Sequence, residues 1–179
     1  MAQILAFAGS NSSSSINFRL VKHTVSLVEG HEVHLLDLAQ TPLPMYSEDE
    51  ERDNGFHPNL VALREAFQRA DGVLFSVNEH NSNPSAFFKN TWDWLSRVDR
   101  DFIAGKKVFL MSTSGGKRGA IGALGVAEQL LKRFKADVTG TFSLPNFNTS
   151  FSDAEGILDQ QLAKAHRREL QQFLRALRT

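Results

Sequence analysis

Cysteine is absent from the 179 residues. That excludes disulfides, thiolate catalysis and cysteine-ligated metals. A charge excess of either sign is absent too, since 20 Lys and Arg balance 20 Asp and Glu. General nucleic-acid binders carry a basic excess, so no nucleic-acid partner is expected. The basic residues near the carboxyl end, Lys164, Arg167, Arg168, Arg175 and Arg178, read as a solvated helix face. No apolar run is long enough to span a bilayer, and no membrane partner is expected. Met1-Ala2-Gln3-Ile4-Leu5 runs directly into a strand pattern, without a basic region or cleavage site. No signal peptide is expected, and the default location is cytoplasmic. The six histidines form no close ligand pair, so no metal is expected. Neither a P-loop nor a Gly-x-Gly-x-x-Gly fingerprint nor a Gly-x-Ser-x-Gly nucleophile turn occurs.

What is present is alternation. Residues 4–8, 73–77 and 108–111 are short continuous apolar runs, the pattern of strands covered on both faces. Residues 33–38 and 138–144 are more mixed and suit positions nearer the sheet edges. Helical patterns lie at about 15–29, 57–70, 84–97, 119–134 and 154–177. Five β-α units in one domain, residues 1–179, predict an α/β fold. The expected architecture is a flavodoxin-like three-layer sandwich, a five-stranded parallel sheet in order 2-1-3-4-5 with helices on both faces. Ligands of such sheets bind at the carboxyl ends of the strands, here over strands one, three and four. The loops there, 9–15, 78–83 and 112–118, are the three most polar or glycine-rich connections in the chain.

In the first loop, Gly9 permits a sharp turn and Ser10 to Ser15 supply hydroxyls, one of which should cap the following helix. A helix start offers free N–H groups and partial positive charge, which suit a phosphate. Ser15 and Asn17 can add side-chain donors. In the second loop, Glu79, His80, Asn81 and Ser82 precede Asn83-Pro84, a good helix start. That helix is apolar on two sides: Phe88, Trp92 and Leu95 form one stripe, and Phe87, Thr91 and Trp94 a second. The second stripe predicts either a partner subunit, giving a homodimer or homotetramer through residues 84–97, or cover by the long segment 39–56. In the third loop, Ser114, Gly115 and Gly116 allow close approach of a flat ligand, with Lys117 and Arg118 nearby. Gly122 and Gly125 read as helix-packing positions.

With these loops in hand, the chain resembles the NADPH-dependent FMN reductase family, flavodoxin-like flavoproteins that include quinone, azo-dye and chromate reductases. Gly9-Ser10 through Ser15 and Asn17 resemble its phosphate loop, Gly-Ser-x-Arg-x-x-Ser-x-Asn. Pro44-Met45-Tyr46 is similar to its Pro-Leu-Tyr segment, and Glu79-His80-Asn81 to its Glu-Tyr-Asn loop. Phe88-Lys89-Asn90-Thr91-Trp92-Asp93-Trp94 and Ser114-Gly115-Gly116-Lys117-Arg118-Gly119 match two further motifs. The chain departs at Ser12, where the family has arginine, at His80, where it has tyrosine, and at Asn78, where it has proline.

The resemblance implies bound FMN, with Gly9, Ser10, Ser12, Ser15, Ile16, Asn17, Glu79, His80, Asn81, Ser82, Ser114, Gly115 and Gly116 as contacts. It implies NADPH or NADH as co-substrate and a ping-pong hydride transfer through the flavin. The final acceptor would be a small molecule: a quinone, azo dye, metal oxyanion or free flavin. No catalytic side chain is required. The alternatives are a flavodoxin-like electron carrier and a non-enzymatic flavin-binding module.

Overall fold

The computed structural model describes residues 1–178. Its main sheet is built from β1 (Gln3–Ala8), β2 (Glu32–Leu36), β3 (Gly72–Val77), β6 (Lys107–Thr113) and β7 (Asp137–Leu144). Two short hairpins supply the other strands: β4 (Glu79–His80) with β5 (Asn83–Pro84), and β8 (Phe151–Ser152) with β9 (Gly156–Ile157). The sheet is parallel throughout, in order β2-β1-β3-β6-β7. That is the expected 2-1-3-4-5 once the hairpin strands are set aside.

Alternate side chains of the central strands point to opposite faces. Leu5, Phe7, Val73, Phe75, Val77, Val108 and Leu110 meet α3 (Pro58–Arg69), α4 (Ala86–Val98) and α5 (Ile121–Arg133). Ile4, Ala6, Ala8, Leu74, Phe109 and Met111 meet α1 (Ile16–Ser26) and α7 (Gln160–Ala176). Three layers result, and β3 is buried along its whole length.

Several expected boundaries move, each for a local reason. The helix expected from residue 84 begins at Ala86, because Asn83 and Pro84 pair with His80 and Glu79 in the first hairpin. Ser85 is the cap instead, its Oγ accepting from Phe88 N at 3.1 Å. The helix expected from residue 154 begins at Gln160, capped by Asp159, because the preceding residues form the second hairpin. The segment 39–56 contains an unexpected helix, α2 (Glu48–Asn54). Ser47 caps it, and four carboxylates lie in its first turn, where the helix dipole favours them.

The same segment answers the question of the second stripe on α4. Pro44 O accepts from Trp94 Nε1 at 2.8 Å and from Asn90 Nδ2 at 2.9 Å, while Asn90 Oδ1 accepts from Tyr46 N at 2.8 Å. The Tyr46 ring stands edge-on to Trp94 at 5.0 Å. Arg97 pairs with Glu51 at 2.8 Å and, through that hydrogen bond, holds its carboxyl below the usual range. In that stripe Thr91 and Trp94 are buried and Phe87 is half-buried, with Trp94 covered by Pro44 and Tyr46 from within the chain. The alternative expected for the stripe, cover by segment 39–56, is thus present at Trp94. A further short helix, α6 (Phe147–Ser150), follows β7. No described helix is long and apolar enough to cross a membrane.

Candidate functional site

The three polar loops leave the carboxyl ends of β1, β3 and β6, which are neighbours in the sheet. Side chains and backbone knit them into one rim. Gly9 N donates to Ser76 O at 2.9 Å, and Gly9 O accepts from Ser85 Oγ at 3.1 Å, so the first loop is tied to both ends of the second. A Cβ at Gly9 would stand 2.6 Å from Phe88 Cδ2. Glycine is needed there for close approach rather than for an unusual φ.

Asn17 joins the first loop to the third. It is 3% exposed. Its Nδ2 donates to Thr113 O at 3.2 Å. Its Oδ1 accepts from Ser76 Oγ at 2.6 Å and from Thr113 N at 3.1 Å. Both ends of the amide are thus engaged within the protein. The Asn17 side chain clamps α1 to the ends of β3 and β6, and the second N–H of its Nδ2 stays open for a ligand.

Glu79 joins the second loop to the third. Its Oε2 accepts from Ala123 N at 3.0 Å, in the first turn of α5. Asn81 and Ser82, both with positive φ, form the turn between β4 and β5 and lie exposed at the rim. His80 is exposed beside them, its Nε2 3.5 Å from Asn78 Nδ2. Ser114 Oγ accepts from Gly116 N at 3.3 Å, and Gly115 and Gly116 present an exposed edge. A Cβ on Gly115 would meet only Asn148 Nδ2, at 3.8 Å.

In the first loop, Ser15 Oγ accepts from Phe18 N at 3.2 Å and so is the helix cap. Ser10 is buried, and its Oγ accepts from Ser12 N. The Ser12 and Ser14 hydroxyls are exposed, 3.3 Å apart. Among the described residues the backbone N–H groups of Ser13, Ile16 and Asn17 have no acceptor in the chain. First-turn amides, two hydroxyls and the positive end of an 11-residue helix form an anion cradle. The donor set fits a phosphate monoester, and the bare Gly115–Gly116 edge fits a flat ring.

Ser76, Ser85 and Thr113 escaped the sequence reading although they hold the rim together. Ser85 carried a readable signal, a serine directly before an apolar helix. Ser76 and Thr113 carried none, because their partner is distant in sequence. Two concavities lie outside the cradle itself, the second of them bordered by Asn83 and Pro84 of the hairpin. One of about 450 Å³ is lined by Leu27, Glu29 and α7. Another of about 480 Å³ lies between α4 and α5.

A parallel sheet in this order, covered by helices on both faces, defines the flavodoxin-like fold class. The sequence pattern of the NADPH-dependent FMN reductase family matches residues 2–149, and the chain belongs to that family. A quinone reductase of Escherichia coli K12 is 30% identical over 118 residues, covering 65% of this chain and 62% of that protein. A probable NADPH:quinone oxidoreductase 2 of Oryza sativa subsp. japonica is 31% identical over 122 residues, 66% of this chain and 59% of that protein. The matched region thus spans about three-fifths of these relatives. In structure, the flavoenzyme NAD(P)H:(acceptor) oxidoreductase FerB from Paracoccus denitrificans superposes with a TM-score of 0.79 at 24% identity, covering 99% of this chain and 98% of that one.

Proposed function

We propose that the chain is an FMN-dependent NAD(P)H oxidoreductase that reduces a small acceptor of the quinone or azo class. One observation carries the reading. The side chains that knit the rim, Asn17, Ser85 and Glu79, bond to the protein itself and leave a cradle of backbone amides and a bare glycine edge facing outward. The quinone reductase and azoreductase names of relatives agree with it.

In this reading the amides of Ile16 and Asn17, with the Ser12 and Ser14 hydroxyls, hold the FMN phosphate. The 80–82 turn and the Gly115–Gly116 edge hold the ring. FMN held there would supply the redox chemistry that links NAD(P)H to a second substrate, with ping-pong order as the proposed kinetic scheme. The protein binds, orients and supplies fixed N–H dipoles, and no side chain is assigned a proton transfer. The groove between α4 and α5, lined by Pro84, Phe88, Val126 and Leu130, is the proposed self-association surface of a homodimer or homotetramer.

The test is an absorbance titration of purified protein with FMN, followed by NADPH or NADH oxidation with a quinone. A flavin spectrum perturbed on binding and FMN-dependent turnover are expected. Protein that leaves the FMN spectrum unchanged at high micromolar concentration refutes the reading. A second reading, a binding module with weakened FMN affinity, is favoured by Ser12 alone.

A further inference from the structure

We infer that Glu79 is a positioning residue, which caps α5 from a distance and thereby presets the 79–84 hairpin that forms one side of the rim. This deepens the reading above and rests on it only in using FMN as a probe. Three observations carry it.

First, α5 has no side-chain cap of its own. Its N-cap residue is Ala120, with φ 63°, and the preceding Gly119 has φ 57°. The acceptor for a first-turn amide comes from 44 residues earlier, Glu79 Oε2 to Ala123 N at 3.0 Å. A carboxylate at a helix N-terminus is favoured by the dipole as well as by the bond.

Second, the hairpin is strained and short. Asn81 has φ 53° and Ser82 φ 63°. Positive φ at both central residues is the signature of a type I′ turn, usually filled by Asn-Gly. Serine at the second position disfavours it. Two paired residues on each side are too few to hold such a turn unaided.

Third, the helix makes room for the turn. A Cβ on Gly122 would lie 2.8 Å from Ser82 O and 2.9 Å from Glu79 Oε2. The strained turn is thus held by a carboxylate on one side and seated against a bare glycine on the other. Apparent affinity for a ligand scales with the population of the competent conformer, so the cap sets how much of the protein is ready to bind.

The experiment compares Glu79→Ala, Glu79→Gln and Gly122→Ala with the parent. Amide hydrogen exchange of FMN-free protein is followed over 79–85 and 121–124, and FMN affinity is titrated separately. Glu79→Ala is expected to speed exchange in both segments and to raise the FMN dissociation constant by about tenfold or more, the scale of one lost charge-assisted hydrogen bond. Glu79→Gln keeps the acceptor and is expected to stay within about threefold of the parent. Gly122→Ala improves helix propensity in α5 yet is expected to weaken FMN binding. Unchanged exchange in Glu79→Ala overturns the inference. So does a Gln variant that exchanges like the parent in both segments yet binds FMN as weakly as the Ala variant, since the charge would then act on the ligand directly. If the parent binds no FMN, the functional reading fails while the exchange data still decide the role of Glu79.

Discussion

Replacing Asn17 by alanine tests the idea that one buried amide holds the rim together. Three hydrogen bonds go: Nδ2 to Thr113 O at 3.2 Å, Ser76 Oγ to Oδ1 at 2.6 Å and Thr113 N to Oδ1 at 3.1 Å. Each intramolecular bond contributes about 0.5–1.5 kcal/mol net, and a buried partner left unsatisfied costs about 1–3 kcal/mol. Ser76 and Thr113 are 0% and 1% exposed, so water cannot readily replace the amide. The Thr113 N–H and the Ser76 hydroxyl dominate, giving a loss of about 3 kcal/mol. In a domain of this size that is about 6–12 °C in Tm. Urea unfolding at constant m-value is the assay. The companion variant Asn17→Asp keeps both Oδ1 bonds but turns a second oxygen toward Thr113 O. It also places negative charge at the helix start that forms the anion cradle. It is expected to lose less stability than alanine but more FMN affinity. If Asn17→Ala costs under about 1 kcal/mol, the clamp is not what organises the site, and if Asp binds FMN as well as the parent, the helix start is not where the phosphate sits.

Further outcomes follow from other groups. Gly9→Ala places a Cβ 2.6 Å from Phe88 Cδ2, and Phe88 is itself packed 4.3 Å from the Trp92 ring. A loss of about 1–3 kcal/mol is expected, relieved in part by a second Phe88→Leu change in a double-mutant cycle. Ser12→Arg, at an exposed loop position, is expected to raise FMN affinity about tenfold or more through a charge-assisted phosphate bond with little change in Tm. His166, fully buried in α7, has a pKa lowered by burial, then by His23 and Arg167, to about 3. The unfolded chain takes up that proton below its ordinary 6.5 and the folded chain does not until about 3, so stability falls as pH drops through this window. The slope approaches about 1.4 kcal/mol per pH unit, and chemical unfolding from pH 7 to 4 should show it flattened in His166→Leu.

The chemistry around His166 shows what a sequence withholds. Thr24 Oγ donates to Leu20 O at 2.8 Å, which leaves it to accept from His166 Nε2 at 2.8 Å. That arrangement corresponds to a neutral ring with its proton on Nε2, and Nδ1 has no hydrogen-bond partner among the described residues. Residue 166 in the sequence is simply a histidine on a basic helix. The sheet was legible because buried parallel strands announce themselves as short continuous apolar runs, and their order follows from the number of β-α units. The three loops were legible because strand-end loops of such sheets carry the polar and glycine residues. Helix starts at 84 and 154 were misjudged because two-residue strands leave no periodic trace. The α4 stripe was ambiguous because apolarity states that a surface is covered without naming what covers it. Here the cover was Pro44 and Tyr46.

The residues that matched family motifs divide by what their side chains do. Asn17 and Glu79, the most specific side chains among them, bond inward and act through the frame. The positions facing outward offer backbone amides, glycines and serine hydroxyls, groups that carry little sequence identity. In the proposed function, a rim built this way would hold a phosphate and a flat ring through main-chain dipoles fixed in place, with preorganisation in place of charged side chains. It follows that loss of the missing loop arginine weakens affinity without changing the site's shape. It also follows that substitutions at the inward-bonded residues should disturb stability and binding together, whereas substitutions at Ser12 should move binding alone.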